Sequence, residues 1–184
     1  MHPRVKVTRT IEKAGAMFPC LIGLYGLYYN RLVEQEVAAA QITAGDRVLC
    51  IGGGPLPYTA LRIHTLTGAH VTVVDNDRSA VEMASRLVEK LGLANKLSVR
   101  FSHGQVVDAA GFSVVHIALQ VSPREQVLEN VRTTASDGVR VLMRTPAEAG
   151  VGQLARRWLV NRVKQRRVAV DTTFVLRSKP EVVL

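Results

Sequence analysis

Three consecutive glycines followed by Pro-Leu-Pro, Gly52-Gly53-Gly54-Pro55-Leu56-Pro57, form the segment of this chain best suited to approach a ligand closely. Glycine accepts positive φ and carries no side chain to keep a bound group away. An apolar stretch at 47–51 reads as a strand before the segment, and 58–66 reads as a helix after it. In open α/β sheets, ligands sit at this turn, beyond the carboxyl ends of the strands. A dinucleotide site there needs a third glycine and free amides at the helix start to hold pyrophosphate. Pro55 and Pro57 have no N–H, and Pro57 stands where that third glycine belongs. No Gly-Lys-Ser/Thr follows, so a triphosphate cradle is excluded as well. A nucleoside without phosphates remains, and S-adenosylmethionine meets that description.

Acceptors for such a nucleoside stand along the same sheet edge. Asp75, with Asn76 beside it, closes the second strand about 20 residues beyond the corner, where an acid accepts from ribose hydroxyls. The other reading of Asp75 is a turn or helix-capping aspartate. Gln105, in the turn after the third strand, reads either as a partner for the adenine amino group or as a solvated loop residue. Gln120, beyond the fourth strand, falls where the reacting end of the cofactor belongs. The expected cofactor set is Gly52, Gly53, Gly54, Pro55, Leu56, Asp75, Asn76, Gln105 and Gln120.

These residues need an alternating scaffold, and the hydrophobic pattern supplies one. Residues 17–40 carry helical spacing, with Leu21, Leu24, Tyr25, Tyr28, Leu32 and Val33 near one face. Strands are expected at 71–74, 97–101, 114–119 and 139–144. The helix after the second strand has Asp77 or Ser79 as its cap and runs through Val81, Ala84, Leu87, Val88 and Leu91 to Gly92. A helix is expected at 125–134, another at 153–160, and a closing strand at 173–176. Strands alternating with long helices mean right-handed crossovers and a mostly parallel, doubly wound, Rossmann-like α/β sheet. The expected division is an N-terminal helical extension at 1–45 and a cofactor-binding domain at 46–184.

Composition narrows the setting. The chain has 184 residues, 47% hydrophobic and 21% charged, which fits one globular domain and not a disordered chain. Lys and Arg number 24 against 15 acids, a formal charge of +9, which favours anionic partners. Cys20 and Cys50 read as reduced packing residues of a cytoplasmic protein. His2, His64, His70, His103 and His116 are scattered without ligand spacing, so no metal is expected. His116, between Val115 and Ile117, reads as a half-buried strand histidine and not as a base. The apolar run at 16–29 contains Pro19 and is too short to span a bilayer. Arg156, Arg157, Arg162, Lys164, Arg166 and Arg167, with Trp158 among them, read as a solvated helix face or as a phosphate-binding patch.

The corner Val48-Leu49-Cys50-Ile51-Gly52-Gly53-Gly54-Pro55-Leu56-Pro57 resembles the glycine loop of nicotianamine synthases and related opine-metallophore synthases. Collinear likenesses accompany it. Tyr29-Asn30-Arg31-Leu32 with Glu36 is similar to the family's tyrosine-to-glutamate helix, and 114–119 to its fourth strand. Residues 138–145 are similar to its glycine, strand and arginine segment, and 173–177 to its last strand. The resemblance implies a class I methyltransferase fold turned to a different bond: transfer of the 3-amino-3-carboxypropyl group of S-adenosylmethionine to an amine, with release of methylthioadenosine. It implies that Tyr29 orients the reacting end of the cofactor, that Glu36 supports the helix or the acceptor, and that Arg144 faces the substrate. From spacing alone, Tyr29 reads equally as core beside Leu32.

The expected function is that transfer, or cyclisation on the same carbon. The alternative is a methyltransferase acting on a small molecule, and the third reading is a basic nucleic-acid-binding protein on the same fold. The expected partner is a small-molecule amine or carboxylate acceptor, with a homodimer as a further expectation.

Overall fold

The computed structural model describes residues 20–146, 158–162 and 171–178, and side chains at 30–145, 173, 175 and 176. Helix α1 spans Cys20–Ala40 and is followed by β1 (Arg47–Ile51), α2 (Tyr58–Thr67), β2 (His70–Asp75), α3 (Arg78–Lys90) and β3 (Leu97–Phe101). The chain continues through β4 (Val114–Ile117), α4 (Arg124–Thr134), β5 (Arg140–Pro146), β6 (Trp158–Arg162) and β7 (Asp171–Ser178). The described strands form one sheet in the order β3-β2-β1-β4-β5-β7-β6. Pairing is parallel from β3 to β5 and antiparallel at β5–β7 and β7–β6. Strand order reverses between β1 and β4, and a ligand crevice opens at such a switch point. This is the Rossmann-like methyltransferase arrangement that the sequence leads one to expect.

Burial explains why the central strands read as unbroken apolar runs. Val48 to Ile51 and Val114 to Ile117 are buried on both sheet faces, as parallel strands between layers must be. Alternate residues feed two cores. On one face Leu49, Ile51, Val115, Ile117, Val141 and Met143 pack against Val127, Leu128 and Val131 of α4. On the other, Val48, Cys50, Val71, Val73, Val114 and Leu142 meet Val33 and Ala40 of α1 and Ala60 and Ile63 of α2. Caps set the helix ends: the Asp77 carboxylate accepts from the amides of Ser79 and Ala80 at the start of α3. Gly68, at φ 74°, closes α2 in the left-handed conformation that glycine adopts without strain.

The expected helix at 153–160 is corrected in part. Trp158, Leu159 and Val160 belong to edge strand β6, where Leu159 pairs with Arg177 and Val160 with Leu176. An aromatic and a β-branched residue beside an available partner strand form sheet despite a local pattern that also suits helix. The rest of that helix, and the basic stretch apart from Arg162, lie outside the described residues. The fourth strand ends at Ile117, two residues sooner than its apolar run, because the chain turns toward α4 there.

Candidate active site

The glycine corner is held by its neighbours on three sides. The amides of Gly52 and Gly53 both donate to the Val74 carbonyl, at 2.8 and 3.3 Å. Gly54 N–H donates to Asp75 Oδ2 at 2.7 Å, and Asp77 N–H donates to Asp75 Oδ1 at 3.0 Å. From the far side Gln120 Nε2 donates to the Gly52 carbonyl at 2.8 Å. Gly52 and Gly54 have φ of 82° and 65°, so two of the three glycines are required by backbone conformation. The third, Gly53, is required by space: a Cβ there would overlap Val73 Cγ1. Gly53→Ala is therefore expected to destabilise the fold by about 1–3 kcal/mol through overpacking. Gly45→Ala is its control, since a Cβ there meets only Thr43 Oγ1 at 3.8 Å. Thermal denaturation of the two variants checks this: a large fall in Tm for the first, little change for the second.

Pro55, Leu56 and Pro57 are buried under the corner, with Leu56 1% exposed, and Pro57 precedes α2 without any side-chain cap. The Asp75 carboxylate is itself buried, yet among the described residues each oxygen accepts from one protein amide. A carboxylate has about four lone-pair sites, so both oxygens keep capacity for a ligand hydroxyl. Asn76 is exposed at the strand tip beside it. Gln105 is half-buried in the turn that follows Ser102, whose N–H donates to the Asp75 carbonyl. That turn is braced by Asn130 of α4, whose side-chain amide donates to the carbonyls of Gly104 and Val107 at 3.1 and 2.7 Å. The sequence alone does not single out Asn130. Its signal was a polar residue among the buried positions Val127, Leu128 and Val131 of α4. The expected cofactor residues thus gather at one sheet edge, with a backbone cradle and a carboxylate but few amides for phosphate.

Glu36 and Arg144 meet in the apolar layer on the α1 side of the sheet. Glu36 follows Val33 and precedes Ala40 on the buried stripe of α1, so its side chain points at the sheet. Arg144 of β5 pairs in register with Thr173 of β7. Directly opposed residues project from the same face, and both reach the carboxylate. Arg144 Nε and Nη2 donate to Glu36 Oε1 and Oε2 at 2.8 and 2.6 Å, and Thr173 Oγ1 donates to Oε1 at 2.7 Å. Arg144 Nη1 donates to Thr59 Oγ1 at 3.1 Å, joining α2 to the pair. Thr59 and Thr173 carry no signal in the sequence, because only the strand register brings them here. Tyr29 lies on α1, but its side chain falls outside the described residues.

His116 borders this pair, its Nε2 3.6 Å from Glu36 Oε2 and without a hydrogen-bond partner. It is fully buried and not half-buried as its alternation suggested, because helices cover this face of β4. Burial tends to raise the Glu36 carboxyl, but the Arg144 guanidinium overrides it and holds the group well below the usual carboxylate range. Burial and the nearby Arg144 charge push His116 down from 6.5, against the opposing pull of Glu36. Cys50 is a free thiol, which burial pushes up to about 12, so it is inert at neutral pH. Among the described residues, no three His, Cys, Asp or Glu side chains come together as a metal site.

Both Glu36 and His116 take up a proton less readily in the folded chain than in the unfolded one. Stability tied to His116 is complete above pH 6.5 and drains as the pH falls below it. Stability tied to Glu36 is lost only in strong acid. Urea midpoints should therefore fall between pH 7 and about pH 5, and more gently in His116→Asn. A flat profile across that range contradicts a histidine buried in its neutral form.

The chain's likenesses to known proteins follow this geometry. A family model described as nicotianamine synthase protein matches residues 18–183. The L-histidine 2-aminobutanoyltransferase of Yersinia pestis is 28% identical over 116 residues, which are 63% of this chain and 43% of that protein. Its counterpart in Pseudomonas aeruginosa is 33% identical over 129 residues, 66% of this chain and 48% of that protein. The chain thus spans about half the length of the curated relatives it matches. Among solved structures, a mutant of MtNAS in complex with S-adenosylmethionine superposes with a TM-score of 0.85 at 21% identity, covering 96% of this chain and 75% of that one. At that identity the likeness speaks for the fold alone. No helix among the described residues is long and apolar enough to cross a membrane.

Proposed function

This chain belongs to the nicotianamine synthase family, and from that premise we propose that it moves the 3-amino-3-carboxypropyl group of S-adenosylmethionine onto an amine, releasing methylthioadenosine. The observation that carries this reading is the corner itself. Three glycines are fixed against Val74 and Asp75 and backed by prolines, which suits a nucleoside without phosphates. Gly52, Gly53 and Gly54 would face the cofactor, Asp75 would accept from its ribose, and Gln105 would meet the adenine. Asn76 would flank the ribose, and Pro55 and Leu56 would shape the corner from below. The cofactor's sulfonium supplies three activated carbons, and geometry decides which of them an amine reaches.

The chain's own residues decide that geometry. Gln120 fixes the Gly52 carbonyl and so the depth of the corner. The Glu36–Arg144 pair ties α1 to β5 and β7, and α1 carries Tyr29 two turns before Glu36. We assign Glu36 and Arg144 to positioning, since each is buried and bound to the other, and Tyr29 to orienting the reacting end. A small amino acid is the acceptor class, and L-histidine is the first to try, because the curated relatives are named for it. The free, buried thiol of Cys50 is in keeping with a cytoplasmic setting.

Incubation with S-adenosylmethionine and L-histidine, followed by identification of the sulfur by-product, tests this reading. Methylthioadenosine is the expected product. S-adenosylhomocysteine would instead make the protein a methyltransferase.

A further inference from the structure

The opposite edge of the sheet carries a second ligand shelf. Strand register places it there: Arg47 at the start of β1 is the partner of His70 at the start of β2, and Val71 is the partner of Leu97. Lys96, one residue before Leu97, therefore falls beside His70. An arginine, a histidine and a lysine thus stand in one row across three neighbouring strands, about 5 Å apart per strand. In-register residues of parallel strands project from the same face, and the next row on that face is Thr72 and Ser98, whose hydroxyls bond each other at 3.0 Å.

This corner of the face is open for a topological reason. The connection from β3 to β4, residues 102–113, contains no helix and packs Val107, Ala109 and Phe112 over Leu49 and Val74 instead. A cavity of about 380 Å³ remains, lined by the basic row, the hydroxyl row and Phe112, with no acid among its lining residues. Asp46, next in sequence to Arg47, is engaged by Arg140, Ser113 and Thr43. Arg47 rests over the Phe112 ring at 5.7 Å, which holds the guanidinium in place without cancelling its charge. Lys96 Nζ lies 3.3 Å from His70 Nε2, within hydrogen-bond reach, which holds the two side chains side by side on the rim of the cavity.

The geometry points to a binding site for a small polyanion, one with at least two phosphate or carboxylate groups, seated on Arg47, His70 and Lys96 with Thr72 and Ser98 beneath. It is separate from the cofactor corner, which lies a full strand length away at the carboxyl edge, and does not depend on the reaction proposed above.

Titration calorimetry of the whole chain with pyrophosphate and with citrate, at constant ionic strength, tests the site. Saturable binding of either anion is expected, and which one binds tells whether phosphate or polycarboxylate is the natural chemistry. Lys96→Gln and His70→Gln, both at the surface, should each weaken that binding about tenfold or more and leave S-adenosylmethionine affinity unchanged. No saturable heat from either anion overturns the proposal, and so does binding that both variants retain in full.

Discussion

Replacing Glu36 with alanine is expected to lower Tm by roughly 6–20 °C, the equivalent of about 3–5 kcal/mol. The carboxylate is wholly buried and accepts two bonds from Arg144 and one from Thr173. Its loss removes the carboxylate that takes two bonds from a guanidinium inside an apolar layer, and the loss of that charge balance accounts for most of the effect. The double variant Glu36→Leu with Arg144→Met removes both charges together and should recover much of the loss, since a buried pair is commonly replaceable by apolar residues of similar size. Thermal or urea denaturation of wild type, single and double variants checks both statements. Equal damage from single and double variants would mean that the pair contributes packing and not charge balance.

The second large effect belongs to Asp75. Asp75→Ala should weaken S-adenosylmethionine binding by about one hundredfold. The side chain anchors Gly54 and Asp77 and offers the acceptors for a ribose, and hydrogen bonds to a charged group contribute about 1.5–3 kcal/mol each. Asp75→Asn keeps one acceptor oxygen but turns an amide group toward one of those N–H donors, so an intermediate loss is expected. Direct titration with the cofactor measures both. An Asp75→Ala variant that binds as wild type would return Asp75 to the role of a turn residue.

Local pattern carries the glycine corner. Gly52 to Pro57 is contiguous, its conformational demands are written in glycine and proline, and Asp75 stands at a fixed distance along the βα rhythm. The burial of β1 and β4 is equally legible, because both faces are covered and the apolar runs are unbroken. What sequence could not carry is register. Glu36 and Arg144 were singled out separately by family resemblance, but their direct pairing depends on α1 crossing β5 on one particular face. Thr173 joins them only because β7 runs antiparallel opposite Arg144. Strand β6 departs from its local helical pattern for the same reason: Trp158 to Val160 are decided by a partner strand and not by their own neighbours. The basic row of Arg47, His70 and Lys96 is likewise invisible in the chain, where the three lie tens of residues apart.

The functional reading rests on the glycine corner as the proposed cofactor site, and calorimetry with nucleosides and nucleotides probes it most directly. With the shelf at Arg47, His70 and Lys96 first saturated by pyrophosphate or citrate, S-adenosylmethionine and its methylthioadenosine product should still bind, while NAD and ATP should give no heat at the same concentrations, because Pro55 and Pro57 withhold the amides that phosphates require. Strong binding of NAD or ATP with none of S-adenosylmethionine would contradict it.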